Sequence, residues 1–433
     1  MAERKGIPLH TRILIGGLLG IVGGIVAHFA FGGDPGLRWF IDHVTVPIGQ
    51  VFLRLLFMLV IPLIFSALVL GVAGMGDPRA LGRIGAKTLA YTVVVSAIAV
   101  LIGVTLVNVF RPGDGISPEV KARLAQSAAQ QVSGTATAPE SKGAMDLLVG
   151  IVPRNPIQAA AEGDFLGVMF FSLMIGLGAA LTRTAASQRF LEAVEGLLDI
   201  SMRLIGLVIA FAPIGVAALL FNLTSQLGYE VLAQLARYVG VVLLALAIHQ
   251  FVVYSLAVKF LGGMSPIAFF RGIQEAMVTA FSTSSSNATL PTALRVAEED
   301  LRLPPSVSRF VLTIGATMNQ NGTALFEGVT VLFLAQFYGV ALTLAQQLIV
   351  VVICILGGIG TAGVPSGSIP VIAMILGLVG IPAEGIGLIL GVDRFLDMCR
   401  TVLNVSGDLA AAVVVSRGEG AALAETGEPG AGF

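Results

Sequence analysis

Charge and cysteine are both scarce in this chain. Asp, Glu, Lys and Arg make up 12% of the 433 residues, about half the share of an ordinary soluble domain. The two cysteines, Cys354 and Cys399, lie far apart in apolar stretches, which excludes a disulfide framework and a Cys-x-x-Cys metal site. The four histidines, at 10, 28, 43 and 249, are scattered and none stands at a metal-ligand spacing. A net charge of −1 offers nothing to nucleic acid. No Gly-x-Ser-x-Gly elbow is present, and His249 has no orienting partner near it in sequence, so a hydrolase inside a membrane finds no support.

What fills the chain is apolar sequence. Hydrophobic residues reach 56% and the mean hydropathy is +0.92, as in an all-α polytopic membrane protein. Spans are expected at 13–31, 44–72, 89–110, 193–221 and 231–261, with a broken apolar region at 145–181. The N-terminal basic stretch leads into an apolar run without a small-residue cleavage site, which reads as a retained first span. A long polar stretch after Phe110, rich in Ser, Ala, Gln and Thr, reads as an external loop. Lys and Arg collect before the first span, at 79–87, at 183–189, and from Lys259 to Arg309. They place those loops and the N-terminus on the cytoplasmic side of the cell membrane.

Past residue 263 the pattern changes. Apolar sequence from Met264 to Arg295 is interrupted over Ser282–Pro291, and that from Leu344 to Val379 over Gly357–Pro370. Each half is too short to cross about 30 Å of hydrocarbon, so each segment is expected to be a re-entrant hairpin. Between them a helix from Val307 to Ala335 is interrupted over Thr317–Thr323. Broken helices repeated in this way mark transporters built from inverted repeats, because open backbone at membrane depth must line a cavity or be buried. The last helix carries Asp393, Asp397, Arg400, Thr401, Asn404 and Asp408 at steps of three and four, hence on one stripe. An ion pair locking helices together would need only Asp397 and Arg400. Arg394 is expected to pair with Asp393.

The chemistry of these groups is specific. The Arg400 fork suits a carboxylate, Asp397 suits an ammonium, and a helix N-terminus suits a second carboxylate. Ser284, Ser285, Ser286 and Asn287 add donors at the first hairpin. A ligand with two carboxylates and one amine, an acidic amino acid, satisfies the set. Asp408 and the asparagines near the 319–323 break offer hard oxygen ligands to a small cation.

Four motifs in order, AFSTSSSNATLPT, GATMNQNGTALFEG, GIGTAGVPSG and LDMCRTVLNVSGD, give the chain a resemblance to the dicarboxylate/amino acid:cation symporter family, the glutamate and aspartate transporters. The resemblance covers almost the whole chain and implies eight transmembrane helices plus two re-entrant helical hairpins, in a homotrimer embedded in lipid. It implies scaffold spans within 1–85 and 145–228, a transport domain made of 86–111 and 229–416, an external loop at 112–144 and a cytoplasmic tail at 417–433. For the substrate, L-aspartate or L-glutamate, it implies Arg400 with Thr323 on the side-chain carboxylate and Asp397 with Thr401 and hairpin backbone near Ser284 on the amine. Ser286 and Asn404 would hold the main-chain carboxylate, and Val364 and Ser368 would close over the ligand. It implies one sodium site at Gly315, Asn319, Asn404 and Asp408, and another at Thr317, Gly358, Ile359 and Thr361. No cofactor other than coupling Na+ or H+ is implied.

The chain departs from that family at Gln320 and Asn321, where Met and Asp are usual, and at Thr92 and Val95, where a further sodium site uses Tyr and Thr; Ser96 is kept. A neutral amide compensates a buried cation poorly, so that site is expected to be absent. Glu327 lies in an apolar run, where a carboxyl favours its neutral form and can carry a proton. The expectation is an elevator-type symporter with reduced sodium dependence and Glu327 as proton carrier. The alternatives are a sodium-independent carrier of another amino acid or of a dicarboxylate, and an ion channel.

Overall fold

The computed structural model describes residues 9–73, 82–115, 152–162, 165–182, 184–227, 230–360 and 367–417. Among these residues the regular structure is entirely helical. Six helices are long and apolar enough to cross a membrane: Thr11–Phe31, Pro35–Leu70, Ile84–Phe110, Ala185–Ser225, Leu232–Gly262 and Ala383–Ser416. The five early spans expected from sequence coincide with the first five of these to within two residues where they overrun them. The expected loop at 112–144 and tail at 417–433, apart from 112–115 and Arg417, lie outside the described residues.

The first helix, α1 (Leu9–Phe31), lies along the longest one. A stripe of glycines makes this contact close. A Cβ on Gly16 would sit 2.2 Å from the Pro213 carbonyl oxygen, and one on Gly20 2.3 Å from that of Ala217. Without Cβ atoms the two backbones touch, which is how helices associate where lipid removes the hydrophobic drive between them. The second span is broken into α2 (Val46–Phe57) and α3 (Val60–Ala73) by a turn at Met58 and Leu59. The third is α4 (Gly82–Phe110). After the short α5 (Phe165–Leu181) comes α6 (Ala185–Leu227), 43 residues long. At 1.5 Å per residue it runs about 64 Å, twice the hydrocarbon thickness, so its charged first turns, with Arg189, Glu192 and Glu195, extend beyond the apolar part. The sequence expectation of 193–221 was the apolar portion of this longer rod.

The chain continues through α7 (Glu230–Ile248), whose last turns loosen into π-helix at His249–Val253 and again at Ala257–Gly262. Two ten-residue helices follow, α8 (Gln274–Thr283) and α9 (Ser286–Arg295). They meet at Ser284, which adopts φ +51°, and Ser285, whose hydroxyl accepts from the Ala288 N–H at 3.2 Å as an N-cap. The expected interruption over Ser282–Pro291 is thus confined to two residues. The cap holds the first turn of α9, and the helix tolerates Pro291 inside it. Outside the apolar elements, hydrogen bonds from Arg309 hold the Glu298 carboxyl below the usual carboxylate range.

The next span is broken between α10 (Pro305–Met318) and α11 (Asn321–Tyr338), again over two residues, Asn319 and Gln320, rather than the seven expected. All of α11 but Gln336 is buried. It is the central post, packed by α4, by α12 (Leu344–Gly360) and by the last helix. The short α13 (Ser368–Leu378) precedes α14 (Ile386–Ser416). The apolar window of that last span is 78% buried, against 29–53% for the other five. The helix with the charged stripe is therefore the internal one, as its polarity requires in a lipid solvent.

Candidate functional site

The stripe on α14 forms a compact ionic centre. Arg400 is 2% exposed. Its Nη1 donates to Asp393 Oδ1 at 2.9 Å, and its Nη2 lies 2.8 Å from Asp397 Oδ1. Its guanidinium carbon sits 4.3 Å from the centre of the Phe326 ring of α11, so one face of the fork rests on an aromatic surface. Asp393 and Asp397 are both buried. Arg394 lies 3.6 Å from Asp397 Oδ2. The sequence expectation of a pair with Asp393 is corrected here: the Asp393 carboxylate accepts from Arg400, and Arg394 lies beside Asp397. Thr401 turns its hydroxyl to the Asp397 backbone oxygen at 2.7 Å.

Polar groups from the two breaks meet this centre. Asn404 donates to Gln320 Oε1 at 2.6 Å and to Thr323 Oγ1 at 3.1 Å, and accepts from the Gly322 N–H at 2.7 Å. Gln320 Nε2 lies 3.4 Å from Ser286 Oγ, which ties α9 to the break. Gly322 permits the close approach, since a Cβ there would stand 2.6 Å from the Arg400 carbonyl oxygen. Ser284 and Ser368 are buried, with hydroxyls that have no hydrogen-bond partner among the described residues. Val364 lies outside the described residues. Of the substrate residues expected from sequence, Thr323, Asp397, Arg400, Thr401, Asn404 and Ser286 come together in one buried cluster.

The cation residues divide differently. Asn319 Nδ2 donates to Asp408 Oδ1 at 3.0 Å, while Asn319 Oδ1 is buried without a partner. A Cβ on Gly315 would come 2.5 Å from the same carboxylate oxygen, so the α10 backbone lies against Asp408. A half-turn of the Asn319 amide would bring a second oxygen to the carboxylate, a donor set that fits a small hard cation. Thr317 is exposed and donates to the Ile314 oxygen, while Gly358 and Ile359 lie on α12; Thr361 is outside the described residues. Gly358 packs over the break, where its Cβ would be 3.2 Å from the Gln320 carbonyl oxygen. Among the described residues no cluster of three or more His, Cys, Asp or Glu forms a transition-metal centre.

Glu327 is fully buried on α11, and neither carboxylate oxygen has a hydrogen-bond partner among the described residues. α12 packs close to it, since a Cβ on Gly357 would be 2.9 Å from Glu327 Oε2. Tyr254 is a member that the sequence reading missed. Its hydroxyl donates to the Leu403 oxygen at 3.1 Å and receives Asn321 Nδ2 at 3.1 Å. Nothing in its own segment marked it, because the π-helical turn that aims it inward is a tertiary feature.

An all-helical protein with several membrane-length helices and a buried ionic centre beside broken helices is a polytopic transporter in its architecture. The chain belongs to the sodium:dicarboxylate symporter family, whose model matches residues 9–418. It is 35% identical over 418 residues to the proton/sodium-glutamate symport protein of Bacillus subtilis (strain 168), covering 96% of this chain and 94% of that one. It is 34% identical over 411 residues to the proton/glutamate-aspartate symporter of Escherichia coli (strain K12), covering 95% and 93%. It is 32% identical over 413 residues to the C4-dicarboxylate transport protein of Rhodospirillum rubrum, covering 95% and 88%. The family is one of transporters, not enzymes.

Proposed function

We infer that the protein is a secondary symporter of an acidic amino acid, L-aspartate or L-glutamate, in the cell membrane. The observation that carries this is the buried Arg400 held between Asp393 and Asp397 at 2.9 and 2.8 Å. A substrate with one carboxylate side chain and one ammonium can exchange the internal Arg400–Asp397 pair for two pairs of its own, carboxylate on Arg400 and ammonium on Asp397. No charge is then left alone in the protein, where an unpaired one costs about 3–5 kcal/mol. Asn404, Ser286 and Thr323 surround the same volume and suit the remaining carboxylate. Ser284 and Ser368 keep hydroxyls without partners for it, and Val364 is taken as part of the cover.

A plain dicarboxylate is the second reading. One relative is a C4-dicarboxylate transport protein, and Arg394, 3.6 Å from Asp397, could neutralise that carboxylate when no ammonium arrives. Competition of succinate against radiolabelled L-aspartate in proteoliposomes separates the two. On the first reading succinate fails to compete with the wild type. In Asp397→Asn amino-acid uptake is lost, and retained L-aspartate uptake in that variant would overturn the assignment.

The coupling ion is Na+ at the Asp408 carboxylate with carbonyl oxygens near Gly315, Asn319 and Asn404, with Glu327 as proton carrier. A second site, of carbonyl oxygens near Thr317, Gly358, Ile359 and Thr361, ranks below it, because Gln320 stands where the family has a thioether ligand. The architecture is taken as eight spans and two re-entrant hairpins. In support, α8 and α9 have ten residues each, about 15 Å, half of what a crossing needs. The transport domain (86–111 and 229–416) would move against the scaffold (1–85 and 145–228) of a homotrimer, with both termini cytoplasmic.

A further inference from the structure

The break between α10 and α11 is closed by side chains, Gln320 and Asn321, to which the transport reading gives no role. A helix interrupted in an apolar interior strands carbonyls at the end of its first half and N–H groups at the start of its second. Such ends are natural places for ions. Here the chain closes them itself. Gln320 Nε2 donates to the Ala316 carbonyl oxygen at 2.9 Å, supplying the donor that the Gln320 backbone would have provided in an unbroken helix. Across the break Asn404 Oδ1 caps the Gly322 N–H at 2.7 Å. The two caps are bonded to each other, Asn404 Nδ2 to Gln320 Oε1, at 2.6 Å.

Asn321 is engaged in the same way. Its Oδ1 accepts from Ser96 Oγ at 2.6 Å and its Nδ2 donates to the Tyr254 hydroxyl at 3.1 Å. Gln320, Asn321 and Asn404 are each at most 2% exposed, and every amide end among them has a protein partner. The amides are neutral, and their oxygens are already turned to N–H and O–H donors. That arrangement does not fit a cation, which needs oxygens turned toward it and a charge to balance its own. The contrast with Asp408 is direct: there a carboxylate faces an asparagine whose oxygen is buried and unpartnered.

We propose that the Gln320–Asn404 clasp, with Asn321 beside it, is an uncharged internal substitute for a cation at this break, confining cation coupling to the Asp408 side. Gln320 and Asn321 are positioning residues in this scheme. They join α4, α9, α10, α11 and α14 without an ion. The statement about coupling rests on the symport reading above, whereas the clasp does not.

The first test needs no substrate. The melting temperature of purified full-length protein is measured in NaCl and in choline chloride at equal ionic strength, for the wild type and for Asn321→Asp. The variant puts a carboxylate between Ser96 and Tyr254, and it gains a sodium-dependent rise larger than that of the wild type. Equal responses in the two proteins overturn the proposal. The second test is L-aspartate affinity as Na+ is raised tenfold. The wild type tightens by about tenfold or less and Asn321→Asp by about a hundredfold, the steps expected for one and for two linked cations. A hundredfold step in the wild type overturns the proposal. If Asn321→Asp does not fold, the wild-type slope decides, together with Gln320→Glu, which steepens the slope if the missing charge is what excludes the ion and refutes the proposal if it does not. If the wild type binds neither L-aspartate nor L-glutamate, the symport reading falls while the melting comparison still judges the clasp.

Discussion

Arg400 is where charge and burial coincide, and its neighbours make its replacement severe in two separate ways. Arg400→Ala leaves Asp393 and Asp397 facing each other in the interior, and the loss of stability is expected at about 3–5 kcal/mol, read as a lower melting temperature in detergent. Arg400→Lys keeps the charge but not the two-pronged geometry or the stacking on Phe326, so stability is largely kept while L-aspartate affinity drops at least about tenfold. Equal affinity in the lysine variant would show that the fork does not hold the substrate. Glu327 is tested differently. Glu327→Gln is close in shape and leaves a buried site that already lacks hydrogen bonds to the carboxylate. Uptake in that variant is expected to lose its dependence on external pH, and an unchanged pH profile removes the proton role. These residues were legible in sequence, since ionisable groups in apolar segments stand out one by one. Tyr254 and the partner of Arg394 were not legible, because both depend on which way a side chain turns in the packed molecule.

Helices contribute contacts that no single residue carries. The α1–α6 contact rests on glycines, and Gly20→Ala would drive a Cβ to within 2.3 Å of the Ala217 carbonyl oxygen. The helices must part, and the expected cost is about 1–3 kcal/mol, seen in the melting temperature with no change in substrate specificity. At the meeting of α8 and α9, Ser285→Ala removes the N-cap on Ala288, a loss of about 1 kcal/mol, and loosens the segment bearing Ser284 and Ser286. Weaker L-aspartate binding is expected with it, and full retention would show the tip to be held by packing alone. Both broken segments around Ser284 and Asn319 could be read from runs of small polar residues. Their lengths could not, because capping by Ser285, Gln320 and Asn404 lets helix resume within two residues where composition suggested a longer interruption.

Across the whole molecule, α14 touches both halves that the transport reading separates. It lies against α10 and α11 on one side and against α1 and α6 on the other. The second contact is made through glycines: a Cβ on Gly17 would come 3.9 Å from the Gly391 Cα, and Leu219 and Leu220 of α6 pack over Gly387 and Gly391. If α14 moves past α1 during transport, a Gly17→Cys, Gly391→Cys pair in a background lacking Cys354 and Cys399 forms a disulfide in this conformation. Uptake then stops and returns on reduction. Undiminished uptake by the cross-linked protein would rule out relative movement at this contact.

The sequence by itself determined the solvent and the chemistry of this protein. Its hydropathy demands lipid, and a dense polar stripe on α14 demands that the last helix be internal and find counter-charges or a ligand. It also determined where regular backbone must fail, since Ser, Asn and Gly runs at 284–287 and 319–322 cannot be lipid-facing helix. The tertiary structure decided the pairing: Asp393 and Asp397 both on Arg400, Arg394 beside Asp397, and Gln320 closing the break with Asn404. Within α14 the choice turns on which way side chains three to seven residues apart rotate in the packed interior; the Gln320–Asn404 bond joins residues 84 apart, and a hydrogen bond across that separation leaves no periodicity or composition signal in the sequence to read.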